Sequence, residues 1–192
     1  MTGIDLIKQA ILRLPNSFND EQILDFLNQA LHLNWKEISV VDVTTFPSFA
    51  EQAEYQLPPT IDENAIFKLW VNNKQYVPSD WENAWHGFYQ VKTGVLSVNP
   101  PPANDGTIKV KHIFVPPDIT LTDEIIGLRP NGEQVLLLDA LVKMANSVSD
   151  IPKANTFRLE FNQALEDCKY KKEDRFAKFP TVKRANLWWA KR

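Results

Sequence analysis

The sequence predicts an α+β fold: a four-helix core formed from both chain ends, an inserted small antiparallel β module and an extended C-terminal tail. Three observations predict it. Apolar residues recur at helical spacing in residues 1–38 and 129–175, whereas they alternate with polar residues in residues 39–128. Residues 176–192 hold five basic residues and no acid, so we expect this tail to lie outside the core.

Two helices are predicted in residues 1–38. The first ends at Pro15, and its apolar stripe comprises Ile4, Ile7, Ile11 and Leu14. The second begins at Asn19 or Asp20, either of which can cap it. Its apolar residues again follow helical spacing: Ile23, Leu24, Phe26, Leu27, Leu31, Trp35 and Ile38. We expect both stripes to face the core.

From residue 38 onward the period changes to two, which is typical of strands. "IFKLWV" (66–71) is followed by Asn72 and Asn73, a pair that tolerates the positive φ of a tight hairpin turn. "GVLSV" (94–98) stops at a triple proline, and "ANDG" turns the chain into a strand at 107–115. One face of that strand carries Ile108, Val110, His112 and Phe114. The other face carries Thr107, Lys109 and Lys111. We expect an antiparallel sheet with one solvent-exposed face.

Helical spacing returns after residue 129. "VLLLDALV" (135–142) is apolar almost all round, which predicts a central buried helix. Another helix follows, with Asp150 as a plausible cap and Pro152 in its first turn. Its apolar stripe comprises Phe157, Phe161, Ala164, Leu165 and Cys168. Because the connection is very short, we expect these two helices to pack as an antiparallel hairpin.

Composition excludes several classes of protein. The 192 residues are 44% hydrophobic and 23% charged, which fits a folded globular protein. No apolar run is long enough to span a bilayer, and the residues before Pro15 do not form a secretory signal. A single cysteine cannot form an internal disulfide, which fits synthesis in a reducing cytoplasm. We therefore expect no membrane association.

Sequence motifs for catalysis and metal ligation are missing. The six glycines lack the spacing of a phosphate loop, and the three histidines lie in different elements. We expect His112 to be a core histidine and Cys168 a small core residue, with no metal and no cofactor. Three carboxylate pairs leave a glycosidase open as an alternative. They are Glu21 with Asp25, Glu51 with Glu54, and Asp123 with Glu124.

The segment "DWENAWHGFYQV" (80–91) contains Trp81 and Trp85 one helical turn apart, with Phe88 and Tyr89 close behind. One interpretation is an aromatic platform for a sugar or single-stranded nucleic acid. The other is that these side chains close the sheet core or pack against another subunit. Few basic residues surround the rings, which favours packing.

The last residues, "TVKRANLWWAKR", are a candidate binding segment. The net charge of the chain is −3, but the five basic residues of 176–192 leave −8 on the rest. Tryptophan and arginine are frequent binding hot spots, so we expect a partner protein to bind this segment in an acidic groove. The candidate residues are Lys183, Arg184, Leu187, Trp188, Trp189, Lys191 and Arg192. DNA, a membrane interface and the chain's own acidic body are the alternative binding surfaces.

The order of several segments resembles the head-to-tail adaptor proteins of tailed bacteriophages, which include head-completion and connector proteins. The resemblance covers roughly residues 18–176. The segments are "QILDFLNQALHLNWKEI", "AEYQLPPTI", "LSVNPPPANDGTIKVKHIFVPPDI", "EQVLLLDALVKMANSVSD" and "FRLEFNQALEDCKYKKEDRF". Particularly alike are the Leu-Asn-Gln-Ala-Leu helix, the Tyr-x-Leu-Pro step and the Pro-x-Pro loop before a strand and two final helices.

This resemblance implies a virion structural protein of the head–tail neck, made in the bacterial host cytoplasm and without catalytic residues. It implies a ring, expected to be a dodecamer, that lies beneath the portal protein, extends the DNA channel and carries a tail tube or nozzle protein. The C-terminal segment would bind the portal, and Trp70, Trp81 and Trp85 would face the tail or a neighbouring subunit. An acidic body fits a channel through which DNA slides without specific binding. A virion-associated muralytic glycosidase, or a module that binds sugar or single-stranded nucleic acid, is the alternative.

Overall fold

The computed structural model describes residues 1–78 and 87–169. Helices α1 (Gly3–Arg13) and α2 (Asp20–Ile38) come first, and helices α3 (Gly132–Ser147) and α4 (Ile151–Cys168) come last. Between them lie seven strands: β1 (Val41–Ser48), β2 (Glu54–Gln56), β3 (Ile61–Val71), β4 (Lys74–Pro78), β5 (Phe88–Lys92), β6 (Val95–Asn99) and β7 (Gly106–Phe114). The predicted α+β fold is confirmed. The predicted C-terminal tail lies outside the described residues.

All four helices share one buried apolar cluster, with α3 at its centre. Leu136, Leu138 and Leu141 of α3 are completely buried, so the predicted central helix is confirmed. Helix α4 packs along α3 after a short turn. The Asp150 carboxylate caps α4, since its Oδ1 accepts a hydrogen bond of 3.2 Å from the backbone N–H of Lys153.

Helix α2 begins where the sequence predicts, with Asn19 as its cap. The Asn19 side chain accepts a 2.8 Å hydrogen bond from the backbone N–H of Gln22. The Gln22 side chain in turn accepts one of 3.0 Å from the backbone N–H of Asn19. This reciprocal pair satisfies two donors that a helix start otherwise leaves without partners.

Helix α1 is rotated relative to the prediction. Ile4 and Ile11 were expected in the core but are 39% and 40% exposed, and the buried residues are Leu6, Ile7, Ala10 and Leu14. The cause is the connection after β7, which runs along the start of the helix. The backbone N–H of Ile4 donates to the carbonyl of Leu121 over 3.0 Å, and a Cβ on Gly3 would overlap the carbonyl oxygen of Thr120.

The strands form one sheet in the order β1–β7–β3–β4–β5–β6–β2. Its pairs are antiparallel except for β4 and β5, which are parallel, so the expectation of a wholly antiparallel sheet is wrong at that pair. The sheet curls around a second buried cluster, which includes Leu69, Leu96 and Val110. One side chain from each edge strand, Phe46 of β1 and Tyr55 of β2, approaches the other at this cluster, with ring centroids 6.4 Å apart.

The alternation predicted for β7 holds for Ile108, Val110 and His112, which are completely buried. It fails at the end of the strand, where Ile113 is buried and Phe114 is only half-buried. There the backbone N–H of Phe114 donates to the Val40 carbonyl over 3.0 Å, so the pairing extends to the residues that join α2 to β1.

The predicted hairpin turn between β3 and β4 is confirmed. Asn72 and Asn73 adopt φ values of 49° and 65°, a left-handed conformation that asparagine tolerates. The Asn72 side chain also holds neighbouring segments. Its Oδ1 accepts from the backbone N–H of Thr107 at 2.9 Å and from the Ser48 hydroxyl at 3.1 Å, while its Nδ2 donates to the Asn104 carbonyl at 2.9 Å.

Arg129 links the ends of α2 and α4. Its Nε donates to the carbonyl of Ser39 at 2.8 Å, and its Nη1 donates to the carbonyl of Cys168 at 2.6 Å. The backbone N–H of Arg129 also donates to the carbonyl of Ile38 at 2.8 Å. Cationic donors at helix C-termini satisfy carbonyls that have no partner within the helix.

Candidate interaction surface

Most of the predicted site residues lie outside the described part of the chain. These are Trp81 and Trp85, together with Lys183, Arg184, Leu187, Trp188, Trp189, Lys191 and Arg192. Trp70, the remaining one, lies in β3 and is described. Its neighbours in the sheet define a surface.

Trp70 is half-buried and lies on the outer face of the sheet. Its neighbours in the chain, Leu69 and Val71, point into the buried cluster and are 0% and 2% exposed. Side chains alternate along a strand, so the indole points to the opposite face. Its cross-strand neighbours are Lys109 on β7 and Gln75 on β4.

Two further lysines lie beside Trp70 on this face. Lys111 lies opposite Lys68 of β3 on one side and opposite Val43 of β1 on the other. A bulge between Ile66 and Lys68 adds Phe67, which is 42% exposed, to the same part of β3. We call the set Val43, Phe67, Lys68, Trp70, Lys109 and Lys111 the basic sheet face.

The sequence indicated the two lysines of β7 only as the polar side of a strand. What it did not show is that β3 places another lysine and two aromatic rings alongside them. A long-range strand pairing with a bulge brings these residues together, and neither feature has a local signal in the sequence. The alternation along β7 correctly predicted that Lys109 and Lys111 lie on the same face.

His112 lies behind this face as a satisfied core residue, as predicted. It is completely buried; its Nδ1 lies 2.8 Å from the carbonyl oxygen of Ile113 and its Nε2 lies 2.8 Å from the Thr44 hydroxyl. If Nδ1 carries the proton and donates to the carbonyl, Nε2 accepts from the hydroxyl, and both ring nitrogens are satisfied.

Cys168 is also a core residue, as expected. It is 5% exposed, and burial raises the pKa of its thiol, with a smaller opposite effect from Arg129. A thiol with a raised pKa stays protonated at neutral pH and is a poor nucleophile. Its Sγ–H donates to the carbonyl of Pro130 at 3.4 Å.

The carboxylate pairs that left a glycosidase open do not line the cleft beside the β3–β4 hairpin. All six residues of the pairs are exposed. The cleft, of about 1060 Å³, lies between the β3–β4 hairpin and Pro100–Pro102, and its described lining residues include no Asp or Glu. Within residues 1–78 and 87–169, no group of three or more His, Cys, Asp or Glu side chains is placed to hold a metal ion.

The features that the described residues do assemble are a packed helical cluster, a curled sheet and a basic, aromatic outer face. The chain matches the family model of the SU10 adaptor protein over residues 1–184, and it therefore belongs to this family of phage adaptor proteins. No curated protein matches the chain.

Family membership confirms the predicted resemblance at the level of a phage adaptor protein. It gives the chain a structural role as a phage head–tail adaptor that interacts with other head and tail proteins, and makes it a virion component. A structural adaptor family also points to a non-enzymatic protein. Within the described residues, none of the helices combines the length and the apolar character that crossing a bilayer requires.

Proposed function

We propose that this protein forms a ring beneath the portal of a tailed phage, extends the DNA channel and provides the attachment platform for tail components. The observation that carries the proposal is the match to the adaptor family over nearly the whole chain. The expected ring is a dodecamer. Its partners are the portal protein, further copies of the same chain and a tail tube or nozzle protein.

The two buried clusters support the proposal that the helices and the sheet of one subunit make different contacts. The four helices bury one cluster and the strands bury another. Each unit therefore has a surface of its own that can serve a different contact. In the proposed ring the helical units of neighbouring copies pack side by side, and residues 39–128 face the tail.

The C-terminal segment is the proposed portal anchor. Its seven candidate residues are Lys183, Arg184, Leu187, Trp188, Trp189, Lys191 and Arg192. Their positive charges would steer the segment to an acidic groove on the portal, and the two indoles would bury the larger area there. The described residues end at Lys169, directly after the Cys168 carbonyl that Arg129 holds and before the segment begins at residue 176.

The acidic net charge of residues 1–175 supports a channel that does not bind DNA tightly. Residues 1–175 carry a net charge of −8. Each phosphate that a protein neutralises adds salt-dependent affinity, which would slow DNA that has to slide. The proposal therefore places DNA in the channel as a passing molecule rather than as a ligand.

Deleting residues 181–192 tests the portal anchor. We expect the melting transition to stay nearly unchanged and binding to purified portal to be abolished. Trp188→Ala and Trp189→Ala should each weaken binding by about 2 kcal/mol or more, while Trp188→Phe, the matched control that keeps a ring, should lose less. A deletion that lowers the melting temperature and leaves portal affinity intact would show that the segment belongs to the protein's own fold.

Analytical ultracentrifugation tests the ring. The protein alone is expected to sediment as a monomer, and addition of portal should produce a large complex with several copies per portal. If no association occurs at any portal concentration, the proposed position beneath the portal is wrong.

A further inference from the structure

The basic sheet face concentrates positive charge in an otherwise acidic part of the chain. Residues 39–128 have a net charge of −6, from eleven acidic and five basic residues. Three of those five, Lys68, Lys109 and Lys111, share this one face. The cross-strand partners of Lys109 are Thr45 and Trp70, and those of Lys111 are Val43 and Lys68, so neither lysine lies opposite a carboxylate.

Lys109 and Lys111 carry like charges close together. They lie two residues apart on the same face of β7, and Lys111 is also the cross-strand partner of Lys68. An anionic group between Lys109 and Lys111 would offset the repulsion between their ammonium groups.

Two of the three ammonium groups are available for such a ligand. Lys109 Nζ makes one hydrogen bond, of 3.3 Å, to the Asn73 side chain. Among the residues that the structure describes, no carboxylate lies within ion-pair distance of Lys109 or Lys111. Lys68 already takes part in another contact, so the inference depends on the two lysines of β7.

Apolar surface lies directly beside these charges. Val43 is 49% exposed and Phe67 is 42% exposed, and Trp70 is half-buried opposite Lys109. Exposed aromatic rings next to cations are typical of protein contact sites, where the rings bury area and the charges set orientation. A ligand with both carboxylates and a hydrocarbon backbone would use both parts of the face.

We propose that the basic sheet face binds a short acidic protein segment, with carboxylates on Lys109 and Lys111 and apolar atoms against Trp70. The virion setting of this contact, a segment of a tail component, rests on the proposed function; the binding itself does not. A short segment is favoured over duplex DNA because the patch is small. A duplex that extends beyond it would meet the remaining acidic surface of residues 39–128, whereas a short segment would contact the face alone.

The chain's own C-terminal segment does not fit this face. Residues 176–192 carry five basic residues and no acid, so they would repel the lysines. The C-terminal segment is therefore not the occupant, and the proposal assigns the acidic segment to another molecule.

The test uses the full chain and a fluorescent oligoglutamate peptide at low ionic strength. The basic C-terminal residues can bind the peptide too, so the readout has to identify individual lysines. Mass spectrometry of lysine acetylation, with and without the peptide, gives this readout. We expect protection of Lys109 and Lys111 but not of Lys92, an exposed lysine of β5.

Charge reversal supplies the second arm. Lys109→Glu should weaken the peptide's protection of Lys111 by about tenfold or more, and Lys111→Glu should do the same to the protection of Lys109. Trp70→Ala should weaken the protection of both lysines several-fold. Lys92→Glu, the matched control in the same sheet, should leave that protection unchanged. Melting transitions equal to that of the control show that the charge-reversal variants are folded.

Three outcomes would overturn the proposal: protection of tail lysines only, equal losses of protection in Lys92→Glu and in the charge-reversal variants of β7, or stronger protection of Lys109 and Lys111 by duplex DNA than by the peptide. The last would make the surface a nucleic-acid site. Portal-dependent assembly is measured separately. If assembly with the portal fails while the peptide still protects Lys109 and Lys111, the proposed ring beneath the portal is wrong and the proposed acidic-segment site is retained.

Discussion

The guanidinium of Arg129 donates from Nη1 to the carbonyl oxygen of Cys168 over 2.6 Å. This contact joins the last turn of α4 to Arg129, which lies in the connection between β7 and α3. Through Nε the same side chain holds the Ser39 carbonyl just after α2. One side chain therefore joins the ends of two helices that are far apart in the sequence.

Arg129→Met should destabilise the protein by about 2–4 kcal/mol, because two partly buried carbonyls lose a charged donor. Urea unfolding followed by circular dichroism measures the change. Arg158→Met is the matched control, since Arg158 is an exposed residue of α4. An Arg129 variant that unfolds at the same urea concentration as this control would mean that solvent replaces the lost hydrogen bonds.

Leu141→Ala should cost about 2–5 kcal/mol, since the side chain is completely buried on α3 and its removal leaves a cavity. Leu159→Ala on α4 is the control, because Leu159 is 73% exposed and its truncation should change stability by no more than about 0.5 kcal/mol. The urea midpoint distinguishes them. An unchanged midpoint for Leu141→Ala would contradict the central position of α3.

Asn72→Gly should lower stability by about 1–3 kcal/mol. Glycine adopts the positive φ of this turn without strain, so the loss isolates the side-chain hydrogen bonds to Ser48, Asn104 and Thr107. Asn73→Gly has the same backbone advantage and removes a single exposed contact with Lys109. Thermal melting of the two variants should therefore separate them, and equal melting temperatures would assign no stabilising role to the Asn72 side chain.

Acid should remove the stabilisation that Asp150 gives α4. The backbone hydrogen bond from Lys153 lowers the pKa of this carboxyl below its ordinary value of 3.8. A carboxyl with a lowered folded-state pKa stabilises the fold above its unfolded pKa, and the contribution disappears as the pH falls through the folded value. The melting temperatures of wild type and Asp150→Ala should differ at neutral pH and converge below about pH 4.

Asp25→Ala, which removes an exposed carboxylate within α2, is the control for this titration. Its difference from wild type should be small at every pH. A gap between wild type and Asp150→Ala that stays constant down to pH 3, on the order of one unit below the ordinary value, would show that the cap does not depend on charge.

Sequence patterns predicted the elements whose signals are local. Asn19 and Asp150 cap helices as expected, and the buried run of α3 was recognisable because its apolar residues cover the whole helix surface. The rotation of α1 was not predictable in the same way. Ile4 and Ile11 fit a helical stripe as well as Leu6 and Ala10 do, and only the distant residues 119–121 decide which stripe is buried.

The sheet shows the same limit. Strand β2 has three residues and β5 has five, too few for an alternation to stand out. The parallel pairing of β4 with β5 depends on the path of the chain rather than on either strand's residues. Of the candidate site, Trp70 was identified in advance, but its lysine neighbours became a surface only once β3 and β7 were paired.

The helical cluster is assembled from two segments that are synthesised at different times. Helices α1 and α2 emerge from the ribosome before the sheet, and α3, which covers their buried residues, emerges after it. The sheet is contiguous in the chain and can complete its pairing while Leu27 and Leu31 still have no cover. Chains truncated before Gly132 would therefore leave the apolar residues of α1 and α2 without α3, and these fragments should aggregate while the full chain folds.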